Sequence, residues 1–149
     1  MDFLNQRIHD TRMAYWRIAK PIRYGAKAFL QDEAGRLLLV RHTYGDDRWN
    51  LPGGGYSSRR ESAITAARRE VKEELGVLLD KSSIKVLGKY VSGLEYKRDT
   101  ITIVGATLPD KTTVKSSREI AEFIFVGLDD VEALSVANVV LRGLDFYDS

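Results

Sequence analysis

Three glutamates, Glu70, Glu73 and Glu74, stand close together in the middle of this sequence. On a helix, the spacings i, i+3 and i+4 place all three carboxylates on one face within about one turn. Like charges at these spacings destabilise a helix by about 0.2 to 0.5 kcal/mol per pair, so the cluster favours binding of a cation. Carboxylate oxygens are hard ligands that suit magnesium or manganese. The spacing therefore predicts a divalent metal site on one helix face.

A run of three glycines at residues 53–55 precedes these acids. Glycine lacks a Cβ and readily adopts positive φ, so this backbone can turn a carbonyl toward a metal that the glutamates hold. At 100° per residue, Ala63 and Ala66 share the strip of the acids, and their small side chains leave room for such a backbone. A second strip is apolar and is expected to pack on a sheet; it consists of Ile64, Val71 and Leu75, with Ala67 at its margin.

Residues 55–77 read G-x5-E-x7-R-E-V-K-E-E-L-G-V. This segment resembles the signature box of the Nudix hydrolases, and residues 49–55 and 25–41 look like the lead-in and first two core strands of that family. The resemblance implies an α/β/α sandwich with a mixed central sheet. It also implies hydrolysis, with Mg2+ or Mn2+, of a pyrophosphate bond in a nucleoside diphosphate linked to another moiety. One departure is Arg60, which stands where relatives commonly have glycine, in a loop one residue longer than usual.

The resemblance also implies roles for single residues. The expected metal ligands are the carbonyl of Gly55, with Gly54 as the alternative, and the carboxylates of Glu70, Glu73, Glu74 and Glu119. The expected catalytic residues are Glu70, Glu73 and Glu119, and which of them is the general base stays open. For the acid outside the box, Glu122 is the alternative to Glu119 and Glu95 a remoter one; an exposed charge at a strand edge is the plain alternative for Glu119 and Glu122.

Other residues are expected to position the box or to contact substrate. Glu61 and Arg69 are expected to pair, and Gly76 to end the helix as a left-handed cap. The candidate substrate contacts are Arg41, Trp49, Tyr56 and Arg59, with Arg60 as a second phosphate contact. Trp49 and Tyr56 either stack on a base or serve as packing. His9 and His42 lack a second ligand at a metal-binding spacing, so ordinary structural positions are favoured.

The elements that must position these residues follow from periodicity and breakers. We predict strands at 23–30, 36–41, 84–92, 100–108 and 122–126, a loop at 44–55 and a helical stretch within 128–144. The box helix begins after Ser58 or after Ser62, each of which fits a cap. Apolar residues at helical spacing over 3–19 predict an N-terminal helical extension, 1–21, that serves packing or homodimer formation and ends at Pro21.

Composition limits the remaining possibilities. The 149 residues, 44% of them hydrophobic, predict one domain over 1–149. A net charge of +2 with interleaved signs argues against nucleic acid as a partner. The chain has no cysteine, and its first twenty residues have no uninterrupted apolar stretch, so we expect a cytoplasmic protein that does not bind membranes.

We therefore expect a hydrolase acting on a small nucleotide-type substrate. No proline lies between Pro52 and Pro109, so the proline that many ADP-ribose hydrolases carry after the box is missing. Nucleoside triphosphates, sugar nucleotides, dinucleoside polyphosphates and ADP-ribose all remain open. The alternative is a non-catalytic, Nudix-like module that binds or senses a nucleotide. Loss of a box acid would favour that alternative, and none is lost here.

Overall fold

A six-stranded mixed sheet forms the centre of the computed structural model, which describes residues 22–45, 47–94 and 97–149. The strands are β1 (Ile22–Gln31), β2 (Leu37–His42), β3 (Gly53–Tyr56), β4 (Lys85–Leu94), β5 (Lys97–Thr107) and β6 (Ile120–Val126). Two α-helices accompany them, α1 (Ala63–Leu75) and α2 (Asn138–Asp148). Short 3-10 helices occupy Lys81–Ser83 and Leu128–Ala133.

The strands follow the order β4-β5-β1-β2-β6, and β3 pairs with β1 outside that path. β1 and β5 run parallel along their whole length, from Ile22 opposite Arg98 to Gln31 opposite Thr107. The other pairings are antiparallel. The sheet is therefore mixed, and the predicted α/β class is confirmed.

Each face of the sheet has its own apolar core, because successive residues of a strand point to opposite sides. On the face covered by α1, Ala26, Ala28 and Leu38 pack with Val71 and Leu75 of the helix. The face covered by α2 buries another set, among them Phe29, Leu37, Leu39, Leu51 and Val140. Among the described residues, no helix is both long and apolar enough to cross a membrane.

The glycine run forms strand β3, so the prediction of a loop over 44–55 is wrong for residues 53–55. Gly53, Gly54 and Gly55 lie opposite Lys27, Ala26 and Gly25 of β1. There is room for this strand because β1 and β2 pair only next to their connecting turn, at Gln31 and Leu37. Beyond that pair the two strands separate. The incoming chain fills the space between them.

Hydrogen bonds on both sides fix this inserted segment. The N–H of Ala28 donates to the carbonyl of Pro52 at 2.8 Å. Val40 and Asn50 exchange N–H to carbonyl bonds in both directions, at 2.9 and 2.8 Å. The glycine strand is thus built into the plane of the sheet, where both faces can reach it.

The helix ends follow elementary capping rules. The side chain of Ser62 accepts a hydrogen bond from the N–H of Thr65, so the helix begins after Ser62 rather than Ser58. Gly76 has φ 68°, which confirms the predicted left-handed cap. The terminal helical stretch extends beyond 144, since α2 continues to Asp148. The predicted helix over 3–19 lies outside the described residues.

Candidate functional site

The buried carboxylate of Glu74 joins α1 to the glycine strand. Only 2% of Glu74 is exposed, and its Oε1 accepts a hydrogen bond from the N–H of Gly53 at 3.1 Å. The pKa of this carboxyl is raised above its ordinary value, mainly by burial. The negative charge of Glu70 also raises it, whereas the amine of Lys27 lowers it in part. Glu74 is therefore held within the fold, in contact with the backbone of residue 53.

Close approach explains why glycine stands at 53 and 54, to the neighbouring strand β1 at 53 and to a helix side chain at 54. A Cβ on Gly53, which has φ 137°, would lie 2.1 Å from the carbonyl oxygen of Ala26. A Cβ on Gly54 would lie 2.8 Å from Oε1 of Glu70. Gly54, the alternative to Gly55, thus lies against the carboxylate of Glu70, next to Gly53, which is bonded to Glu74. At position 55, a Cβ would instead approach the guanidinium of Arg23, at 3.0 Å.

Arg69 contacts several carboxylates on the outer side of the helix. Its Nε and Nη2 each donate to the carboxylate of Glu61 at 2.9 Å, which is the pairing expected from the sequence. Its Nη1 lies 3.1 Å from Oε1 of Glu70 and 3.5 Å from Oε2 of Glu73. Hydrogen bonding to Glu61 raises the pKa of Arg69 and lowers that of Glu61. One guanidinium therefore contacts three carboxylates, and its single positive charge offsets only part of their negative charge.

The oxygens of the box carboxylates and the glycine carbonyls are chemically suited to a divalent ion. In this structure they do not converge on one point. Within the described ranges, no three histidine, cysteine or acidic side chains lie close enough together to hold a metal. Arg69 contacts both Glu70 and Glu73, and the negative charges of Glu70 and Glu74 partly raise the pKa of Lys27. With Glu73 56% exposed, its carboxylate is open to solvent. Three carboxylates within about one helical turn supply the kind of hard oxygen ligand that Mg2+ prefers.

Glu119 follows a segment that is bonded to the C-terminal end of α1. The N–H groups of Lys115 and Ser117 donate to the carbonyls of Leu75 and Glu74, at 3.0 and 2.9 Å. Two residues further on, the carbonyl of Glu119 accepts a bond from the N–H of Thr43 at 2.9 Å. The side chain of Glu119 is exposed. The segment before β6 is thus bonded to the C-terminal end of the box helix, and the role of Glu119 stays a prediction.

Glu122, the alternative to Glu119, is engaged elsewhere. It lies opposite Arg41 in the β2–β6 pairing, and the two side chains form an ion pair. The guanidinium of Arg41 also stands over the Trp49 ring, 5.2 Å from its centroid. Trp49 packs against the core on the α2 face. Arg41, Trp49 and Glu122 therefore form one group on the face opposite α1.

Tyr56 belongs to the other face, so the structure does not bring the two candidate stacking residues together. Its ring centroid lies 5.9 Å from that of Tyr24, and it packs beside the core under α1. Burial raises the pKa of its phenol, while a hydrogen bond with Thr102 lowers it. Arg59 and Arg60 are exposed on the turn before α1. The ring of His42 lies 5.8 Å from that of Tyr44, whereas Glu95 and His9 lie outside the described residues.

Sequence reasoning missed Lys27. Its Nζ donates to the carbonyl of Leu51 at 3.2 Å and lies 3.5 Å from the carbonyl oxygen of Gly53. Burial lowers the pKa of this amine, and the charges of Glu74 and Glu70 raise it in part. The signal was a single lysine between Ala26 and Ala28 within a strand of mostly small and apolar residues, where a charge is costly unless it has a partner.

Comparison with known proteins identifies relatives of this chain. A model of the NUDIX domain matches residues 21–144. Over 68 residues the chain is 41% identical to an RNA pyrophosphohydrolase of Saccharophagus degradans, a match covering 46% of this chain and 38% of that protein. Over 141 residues it is 26% identical to an uncharacterized Nudix hydrolase of Listeria innocua, covering 89% of this chain and 82% of the relative.

A solved structure shares the fold. The Ap4A hydrolase of C. elegans, determined as a binary complex, superposes with a TM-score of 0.71 at 20% identity. The superposition covers 85% of this chain and 96% of that one. At this level of identity the similarity establishes a common architecture and leaves the substrate open.

Proposed function

This chain belongs to the Nudix family, and on that premise we propose that it hydrolyses a pyrophosphate bond in a nucleoside diphosphate linked to another moiety, with Mg2+ as the cofactor and Mn2+ as a substitute. The proposed substrate is a small nucleotide-type molecule. The names of several relatives point to phosphoric anhydride chemistry in general. The observation that carries the proposal for this chain is the contact of Glu70 and Glu74 with the glycine strand.

That contact matters because it joins two kinds of oxygen donor. Glu74 is bonded to the N–H of Gly53, and Glu70 lies against the backbone of Gly54. The carboxylate of Glu73 lies one turn away from Glu70 and faces solvent. We propose that Glu70, Glu73 and Glu74 hold the ion together with a carbonyl of the glycine strand, and that Glu119 completes the set.

The protein's own groups have separate tasks in this proposal. When bound, a divalent ion lowers the pKa of water and neutralises charge on the phosphoryl oxygens. A carboxylate takes the proton from the attacking water, and Glu70, Glu73 and Glu119 are the candidates. Arg69 holds Glu70 and Glu73 in place, since its guanidinium is itself fixed by two bonds to Glu61. Rigid placement of this kind favours catalysis because little reorganisation remains for the transition state.

Turnover of a defined panel with Mg2+ tests the proposal. The panel is Ap4A, ADP-ribose, a sugar nucleotide, nucleoside triphosphates and a 5′-triphosphorylated RNA oligonucleotide. Products are separated by chromatography, and a parallel reaction in 18O-labelled water identifies the phosphorus that is attacked. The Glu73→Gln variant, purified in the same way, controls for contaminating phosphatases.

The outcomes are distinct. Cleavage of an anhydride bond, with one 18O in a phosphate product and loss of turnover in Glu73→Gln, supports the proposal. Binding of one panel compound in calorimetry without any cleavage would instead indicate a nucleotide-sensing module. Cleavage of the RNA alone would show that the substrate is not a small molecule.

A further inference from the structure

Lys27 occupies an unusual place in the sheet. Its neighbours on β1 that face α1, Ala26 and Ala28, are fully buried, whereas Lys27 points to the opposite face. There it lies beside the inserted glycine strand, directly opposite Gly53 in the β1–β3 pairing. Phe29, two residues further along the same face, is part of the apolar core. An amine in such surroundings requires acceptors.

The acceptors of Lys27 are backbone carbonyls of the segment that enters the glycine strand. Its Nζ lies 3.2 Å from the carbonyl oxygen of Leu51 and 3.5 Å from that of Gly53. The N–H of the same Gly53 donates to Glu74 on the other face. One peptide segment is therefore bonded from both sides of the sheet, by Lys27 and by the buried glutamate of α1.

These contacts form a chain from Lys27 to the box carboxylates. Leu51 is fully buried, so the segment cannot easily shift away from the amine. Gly53 bonds to Glu74, and Gly54 lies against Glu70. A displacement of residues 51–54 therefore changes where the glycine carbonyls lie relative to these acids.

We propose that Lys27 is a positioning residue, which holds the Leu51 and Gly53 carbonyls so that the glycine strand keeps its place against Glu70 and Glu74. This inference rests on the proposed function for its catalytic consequence, but not for its structural part. Lys27 acts through the backbone in this role and does not touch substrate. A substitution should therefore affect the rate of the chemical step more than substrate affinity.

Three variants test the role. Lys27→Met removes the donor and keeps a flexible chain of similar length, whereas Lys27→Arg retains a donor that can reach carbonyls. Lys89→Met is the matched control, because Lys89 is an exposed lysine on β4, separated from β1 by β5. Hydrogen–deuterium exchange of the peptide covering 51–56 is measured without metal or substrate. Values of kcat and KM are then measured with Mg2+ and with whichever of Ap4A, ADP-ribose or triphosphorylated RNA the wild-type protein hydrolyses.

We expect exchange in 51–56 to be about tenfold faster in Lys27→Met and unchanged in Lys89→Met. With folded protein as the reference, kcat of Lys27→Met should fall about 10- to 100-fold while KM changes less than about twofold, because small misplacement of reacting groups has effects of that size. Lys27→Arg should recover most of kcat.

Several results would overturn the inference. Unchanged exchange in Lys27→Met would show that the amine does not hold the strand. A large rise in KM with intact kcat would place Lys27 against substrate phosphate instead. Faster exchange with intact kcat would make it a structural residue only. If the wild-type protein hydrolyses none of the three compounds, the proposed function fails for them, while the exchange experiment still decides whether Lys27 holds the strand.

Discussion

The carboxylates at the two ends of α1 are stabilised by different partners. Just before the helix, Glu61 is paired in bidentate fashion with Arg69, and both side chains remain partly exposed, 20% and 37%. At the end of the helix, Glu74 is buried and accepts a hydrogen bond from the Gly53 N–H, and the positive charge of Lys27 on another strand lowers its pKa in part. The outer pair involves one segment of chain, whereas the inner arrangement joins α1, β1 and β3.

The two arrangements have different consequences: the outer pair orients a side chain, whereas the inner one joins the helix to the strand. An exposed bidentate pair contributes modestly to stability, but its planar geometry fixes the direction of the guanidinium. A buried carboxylate is costly unless every partner is in place, so it couples the helix to the strand. Glu70 and Glu73 lie between the two ends. We therefore expect changes at the inner end to affect folding and changes between the ends to affect chemistry alone.

Removal of divalent metal should have the largest effect. Treatment with EDTA should abolish hydrolysis completely, while circular dichroism remains native because Arg69 stays bonded to Glu61 and Glu70, and Glu74 to the Gly53 N–H. Added Mg2+ or Mn2+ should restore turnover and raise the melting temperature, since a ligand of the native state stabilises it. Full turnover in metal-free buffer would rule out the proposed site.

The Glu73→Gln substitution should affect chemistry without affecting the fold. Glu73 is exposed and its contact with Arg69 is long, at 3.5 Å, so the melting temperature should hardly change. A loss of about 3 to 4 kcal/mol of transition-state stabilisation corresponds to a reaction about 10² to 10³ times slower. Near-normal kcat with unchanged metal affinity would remove Glu73 from the site.

The Gly53→Ala substitution should test the inner end of the helix. Its Cβ would lie 2.1 Å from the Ala26 carbonyl oxygen, at a φ of 137°, so the strand must move away from β1. We expect unfolding free energy to fall by about 2 to 3 kcal/mol in urea titrations. Gly35→Ala is the control: φ there is 83°, but no atom lies within 4 Å of its Cβ, so only backbone strain remains. Equal losses for the two variants would mean that the close approach is not significant.

The Glu61→Gln substitution should have the smallest effect, at the outer end. Hydrogen bonding from Arg69 lowers the pKa of Glu61 in the folded protein, so its contribution to stability is present above the unfolded pKa. The contribution is lost as pH falls through the lower, folded pKa. After allowance for exposure, we expect a loss of about 0.5 to 1 kcal/mol at pH 7 that disappears in strong acid. A loss independent of pH would show that the charge of Glu61 is not its source.

The box was readable from sequence because its information is local. Spacing alone placed Glu70, Glu73 and Glu74 on one helix face and predicted the Gly76 cap, since both depend on residues within a few turns. The strands were also found, because β1 and β2 carry buried apolar runs. The insertion of the glycine strand between β1 and β2 was not found. It depends on where two distant strands separate, which no local pattern encodes.

The same limit applies to side chains that meet across the sheet. Lys27 and Glu74 bond to the same residue, Gly53, from opposite faces of the sheet, so neither side chain alone predicted the other. Trp49 and Tyr56 are near in sequence and both aromatic, yet strand alternation and the path of the chain place them on opposite faces. Their roles in binding therefore need separate tests.

The bonds from Lys115 and Ser117 to the last carbonyls of α1 also bear on how the protein folds. Those carbonyls would otherwise have no partner, and the groups that bond to them come from far along the chain. The parallel pairing of β1 with β5 is also long-range. Non-local contacts of this kind form slowly, because the entropy of closing a long loop is lost before the contacts form. The segment that presents Glu119 should therefore reach the box helix late in folding, after the sheet that carries both.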